Sequence, residues 1–252
     1  MDITKIPGIM RGNRMPIGAK VMESWFSRPS AIKPAVGTPD TTTVTMKWVL
    51  GFPRAKAVYD DIVNNKAWVN KAAQREIEKQ LKAKGLVGSV PQNFGDLSRS
   101  PVQMEVDKDQ VQQRKVGMSD MTQTLDDLDA ALANFVFQVM VAGTVSPKGS
   151  VHQVDIKEVG IYVRDSYDFE GFQYLGTWDE TANTVSRNPL ASGDTVWNST
   201  FRDWRTTNGM GGDYMIYSDV TKITLSPLDS FTIPVPPDAP PPDVSPRPGM
   251  RY

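Results

Sequence analysis

Asp165, Asp168 and Glu170 place three carboxylates within six residues, in the stretch YVRDSYDFEGFQYLGTW that runs from 162 to 178. Oxygen donors at the end of a rigid strand suit a hard cation such as Mg²⁺ or Ca²⁺. Asp165, Asp168 and Glu170 are the expected ligands, and Asp179, Glu180, Asp213 and Asp219 are further acids that could converge on them. A cation held there would polarise a phosphoryl oxygen and activate water without a histidine. Arg164, Arg202 or Arg205 would grip the phosphate, and Tyr167 would supply a proton or orient the substrate. A second reading of the same residues stays open. Aspartates bond to nearby backbone N–H groups in turns, so Asp165 and Asp168 could simply end a strand while Tyr167 and Phe169 cover the core.

Other chemistries find less support. The chain has no cysteine and one histidine, His152, which excludes disulfides, thiol nucleophiles and Cys-based zinc sites and weakens any Ser-His-Asp arrangement. Ser166 and Ser218 have no evident base. TTNGMGGD, 206–213, is glycine-rich but lacks the lysine of a phosphate-binding loop. With 28 Lys plus Arg against 29 Asp plus Glu, no basic field exists to attract nucleic acid.

The elements that must position these residues follow from periodicity. The spacing predicts a helix over 16–27 opening on Pro16, with Val21, Met22, Trp25 and Phe26 on one face. TVTMKWVLGF, 43–52, alternates as a strand would. Pro53 opens a second helix. Asn70 caps a third, charged helix that Gly85 ends. VQMEV, 102–106, reads as a short strand, and Thr124 to Asp127 as a capping box before a helix through Leu128 and Leu132. From Phe135 the period becomes two. A long strand turns at SPKGS, 146–150, into a second, whose buried face changes phase at Lys157-Glu158 and so implies a β-bulge. FQYLGTW, 172–178, is expected to add a third strand to this hairpin. VWNSTFRDWR, 196–205, carries Trp197, Phe201 and Trp204 at helical spacing, and DYMIYSDVTKITL returns to strand.

The expected fold is α+β: one domain over 1–233, with a helical part over 1–133 and a mainly antiparallel sheet over 134–233. A proline-rich tail, 234–252, cannot form a core. No run approaches the ~18 consecutive apolar residues of a membrane span. The first twenty residues lack an export leader's apolar stretch, so any secretion is expected to follow a leaderless route from the producer's cytoplasm.

Several segments resemble a bacterial family of unknown function associated with type VI secretion and polymorphic-toxin gene neighbourhoods. They are KIPGIMR with MESWFSRP, TVTMKWVLGF, FGDLS, the run from Leu125 through FVFQVMVAG, VGIYVRDSYDFEGFQYLGTW, and FRDWR with GGDYMIYSDV, together covering roughly residues 5–225. Asp165-Ser166-Tyr167-Asp168 also resembles the Asp-x-Tyr-Asp core of the colicin M toxins, metal-dependent phosphodiesterase-type enzymes that cleave the lipid-linked peptidoglycan precursor. That motif continues with a His-Arg pair, where this chain has Gln173-Tyr174-Leu175-Gly176, so neither the acid/base nor the phosphate clamp carries over. The resemblances imply an antibacterial effector acting on the target envelope, partnered by a secretion spike, adaptor or immunity protein. The alternative is a non-enzymatic module (adaptor, chaperone or immunity protein) for which twelve methionines and six tryptophans would supply contact surface.

Overall fold

A computed structural model describes residues 1–34, 37–120 and 123–234. The alternating run from Phe135 becomes strand β3 (Phe135–Lys148), and the run after the turn becomes β4 (Val151–Tyr167), an antiparallel hairpin. At 17 residues β4 is about 56 Å long, and the sheet is built outward from this pair. β1 (Gln92–Phe94) and β2 (Gln112–Val116) both pair with the free edge of β3. β8 (Tyr214–Tyr217) and β9 (Thr221–Pro234) divide the free edge of β4, with β8 taking Arg164–Tyr167. Ile156 faces Gly143 and Glu158 faces Ala142, so Lys157 is the extra residue of the expected bulge. Val154 and Ile156 thereby share the buried face with Val159, Ile161 and Val163.

The helices are α1 (Ile6–Gly12), α2 (Pro16–Ser27), α3 (Met46–Val49), α4 (Pro53–Asn64), α5 (Lys71–Ala83), α6 (Pro101–Val106), α7 (Asp127–Leu132) and α8 (Asn198–Asn208). All of them but α6 put apolar residues into the cluster that contains Phe137, Val139 and Ile161. Met104 of α6 joins Met140, Tyr162 and Tyr217 in a smaller cluster. α5 has its expected ends: the Asn70 side chain accepts from the Ala73 N–H at 2.9 Å, and Gly85, just past the C-cap, has φ 65°. The architecture is α+β, with helices and antiparallel sheet throughout. Among the described residues, no helix is long and apolar enough to cross a membrane.

Five local expectations are corrected. Residues 43–52 alternate, yet Thr45 accepts from the Trp48 N–H and starts the helical turn α3. VQMEV is helical because Ser100 and Gln103 form a capping box around Pro101. The cap of α7 is Asp126, which accepts from the Asp129 N–H, in place of Thr124. FQYLGTW does contain a strand, β5 (Tyr174–Asp179), but it belongs to a separate three-stranded sheet between β6 (Thr184–Ser186) and β7 (Asp194–Trp197). α8 begins at Asn198, leaving Trp197 as the last residue of β7. Of the expected tail, Pro234 closes β9, and 235–252 lie outside the described residues.

α2 and α7 are pinned together by charge and by close approach. Asp127 accepts from the backbone N–H groups of Gly18 at 2.8 Å and Ile17 at 3.3 Å, at the α2 N-terminus where the helix dipole favours an anion. A Cβ on Gly18 would stand 2.5 Å from the Ala130 Cβ. Gly18→Val is therefore expected to cost about 1–3 kcal/mol through overpacking. Ala130→Gly in the same chain should recover part of that loss in urea denaturation, and no recovery would remove this contact as the cause.

Candidate functional site

The end of β4 divides its side chains between two faces. Asp165 and Tyr167 are buried with Phe169, whereas Ser166 is exposed and bonds to Asp168. Asp165 pairs across the sheet with Ile216, and Tyr167 with Tyr214. Burial pushes the Asp165 carboxyl well above the usual carboxylate range. The Ser166 backbone N–H and Arg164 oppose that rise, and the charge of Asp168 adds to it. Burial likewise pushes the Tyr167 phenol up, with Tyr214 and Asp165 adding to the effect.

The outward acids make the bonds of a turn. Asp168 Oδ2 accepts from the Ser166 hydroxyl at 2.6 Å, and Oδ1 accepts from the Glu170 N–H at 3.1 Å. Glu170 is exposed, and its backbone carbonyl accepts from Asn198 Nδ2 at 2.5 Å. Arg202 donates to the carbonyls of Phe169 at 2.6 Å and Gly171 at 2.8 Å. Arg205 donates to Asp213 Oδ1, which also accepts from Trp25 Nε1 at 2.9 Å. Asn198, Arg202 and Arg205 stand at i, i+4 and i+7, so one face of α8 holds both the loop after β4 and the lead into β8.

The remaining acids are engaged elsewhere. Asp219 accepts from the Met46 N–H at 2.7 Å, and Asp179 accepts from the Ala182 N–H at 2.8 Å. Glu180 is exposed. Among the described residues, no group of three or more acids or histidines is arranged to hold a metal ion. Asp165 faces the core, Asp168 bonds to the Ser166 hydroxyl and the Glu170 N–H, and the Glu170 residue is exposed.

Behind Asp165 lies a cavity of about 120 Å³, walled by Tyr167, Phe169, Tyr174, Trp178 and Phe201. Asp129 and Arg187 form part of its lining. Arg187 donates to Asp129 Oδ2 at 2.5 Å and to the Ser119 carbonyl at 2.8 Å, while Arg54 donates to Asp129 Oδ1 at 2.8 Å. The Asp129 side chain is fully enclosed. Sequence reasoning missed Asp129 and Arg187 because they are partners 58 positions apart, and nothing local marks either.

Two expectations test this electrostatic account. A carboxyl whose native pKa is raised contributes stability that is fully present below its unfolded pKa of about 3.9 and is lost as pH rises through the native value. Asp165→Asn, which cannot ionise, should therefore melt at a higher temperature than wild type at pH 8, with the difference vanishing near pH 4. A lower melting temperature at pH 8 would refute the buried, unpaired assignment. Arg205→Ala should cost about 3–5 kcal/mol by leaving Asp213 buried without its cation. Adding Asp213→Asn should recover part of that in denaturant melts, whereas additive losses would mean the pair is not coupled.

No curated protein and no solved structure matches this chain. A family model described as a family of unknown function, DUF6402, matches residues 1–194 and 190–232. Those segments include the whole of the β4 end, the cavity walls and α8, and the chain belongs to the DUF6402 family.

Proposed function

We propose that this protein is a non-enzymatic interaction module of a bacterial secretion system, an adaptor, loading chaperone or immunity protein working in the producer's cytoplasm. The observation that carries this reading is the direction in which the two arginines point. Arg202 is spent on the carbonyls of Phe169 and Gly171, and Arg205 on buried Asp213. A phosphate clamp needs guanidinium donors turned toward solvent. The surface nearby favours contact: Phe172 is 83% exposed, and its ring stacks on Trp197 at 4.8 Å. A large aromatic left in water on a stacked support suits a partner's apolar side chain. The secretion context rests on the resemblance of the segments between residues 5 and 225.

A second reading keeps one observation in its favour. It is an antibacterial effector, exported by a leaderless route and hydrolysing a phosphoester of a lipid-linked envelope substrate with a bound metal. Asp168 lies close enough to Asp165 and Asp213 to raise the proton affinity of both, so carboxylates do gather around the end of β4. Expression in a heterologous bacterium separates the two readings. Wild type and Asp168→Ala would be produced with and without a periplasmic leader, and growth followed. The interaction module is expected to be harmless in both compartments and to co-purify with its spike or cargo. Killing by wild type that Asp168→Ala abolishes, with circular dichroism unchanged, would replace it with the effector.

A further inference from the structure

Five aspartates are buried among the described residues: Asp109, Asp127, Asp129, Asp165 and Asp213. Asp109 bonds to Lys84 and Arg99, Asp127 to two N–H groups of α2, Asp129 to Arg54 and Arg187, and Asp213 to Arg205 and Trp25. Asp165 differs. It is 9% exposed and makes no ion pair among the described residues; the adjacent Ser166 N–H and, more weakly, Arg164 ease its charge. The groups that face it are Arg164, which attracts, Asp168, which repels, and the phenols of Tyr167 and Tyr214. A buried carboxyl without a cation is costly to keep ionised. It also lines the cavity of about 120 Å³, whose walls combine Tyr167, Phe169, Trp178 and Phe201 with aliphatic side chains and the Arg187–Asp129 pair.

We propose that this cavity binds a small organic cation, an amine with an aryl or short aliphatic body, with its ammonium paired to Asp165 and its body against Tyr167, Phe169 and Phe201. The ammonium supplies the missing counter-charge, and the rings add cation–π attraction. An anion would meet Asp165 and Asp168, while Arg187 on the same wall is already held by Asp129, and a neutral hydrocarbon would leave Asp165 as it was. Apolar cavities of roughly 150 Å³ accept benzene, so at about 120 Å³ the space fits a ligand of that order. The site stands whether or not the Phe172 surface engages a partner.

Calorimetric titration of the full chain with benzylamine, toluene and benzoate tests this. Benzylamine should bind and the other two should not compete with it. Asp165→Asn should weaken benzylamine about tenfold or more, and a melting curve on the same sample checks that the variant is folded. Equal binding of all three compounds, no benzylamine binding at millimolar concentration, or unchanged affinity in folded Asp165→Asn would each overturn the proposal. Growth harmlessness and amine binding are independent readouts, so failure of one is not failure of the other.

Discussion

Arg205 and Asp213 form a charged pair inside an aromatic shell, and the far end of the long hairpin depends on it. Trp25 of α2 donates to the same carboxylate oxygen and lies under the Arg205 guanidinium at 5.2 Å. The pair thus ties α2 to α8 and to the lead into β8, which follows Arg205 by eight positions. Its desolvation cost is offset only if the surroundings fix its geometry. Phe26, Phe169, Phe201 and Trp204 do so, packing around Trp25 at centroid distances of 4.8 to 5.9 Å. With α8 fixed this way, Asn198 and Arg202 come into register with the carbonyls of the loop after β4. One face of α8 satisfies the backbone carbonyls of this loop.

This arrangement explains why acids cluster at residues 165–170. A strand that ends against a buried aromatic cluster must turn sharply, and Asp168 makes that turn through Ser166 and the Glu170 N–H. Asp165 has no such role. It occupies an inward position of β4 where Val159, Ile161 and Val163 set the apolar pattern, and an apolar residue there would be cheaper. A polar group retained against its cost, beside a cavity, is what separates Asp165 from its neighbours.

The parts of the fold legible in sequence were those whose signal is local. The period-two run from Phe135 to Val141, the phase change at Lys157 and the Asn70 and Gly85 caps are each fixed by neighbouring residues. Where two local signals compete, the weaker-looking one can win. VQMEV has strand-like composition, yet Ser100-Pro101 with Gln103 nucleates a helical turn, and that capping box was present in the sequence to be read. Val44, Met46 and Trp48 alternate, but Thr45 caps a turn that buries Val44, Met46 and Val49 instead. β5 is legible as a strand and illegible as to its sheet, because β6 and β7, its partners, are only three and four residues long. Sheet membership is set by which edges remain free after β4 is filled by β8 and β9.

The site shows the same division more sharply. Asp165, Tyr167, Asp168, Arg202 and Arg205 were visible from type and spacing, and the structure brings all five to one end of the sheet. Their roles were not visible, because a charged side chain's role is decided by its partner. Arg202 and Arg205 sit on the same helix face as Asn198, and from the sequence that face could equally grip a substrate phosphate or the protein's own loop. What decides is the partner each one meets: Arg205 is 4% exposed and its guanidinium is turned inward to Asp213. The same reasoning gives the opposite result for Asp165, equally enclosed but without a cation. Burial therefore separates the two charged residues, and sequence spacing cannot make that distinction because each is enclosed by residues far along the chain, Arg205 by Trp25 and Asp165 beside Ile216.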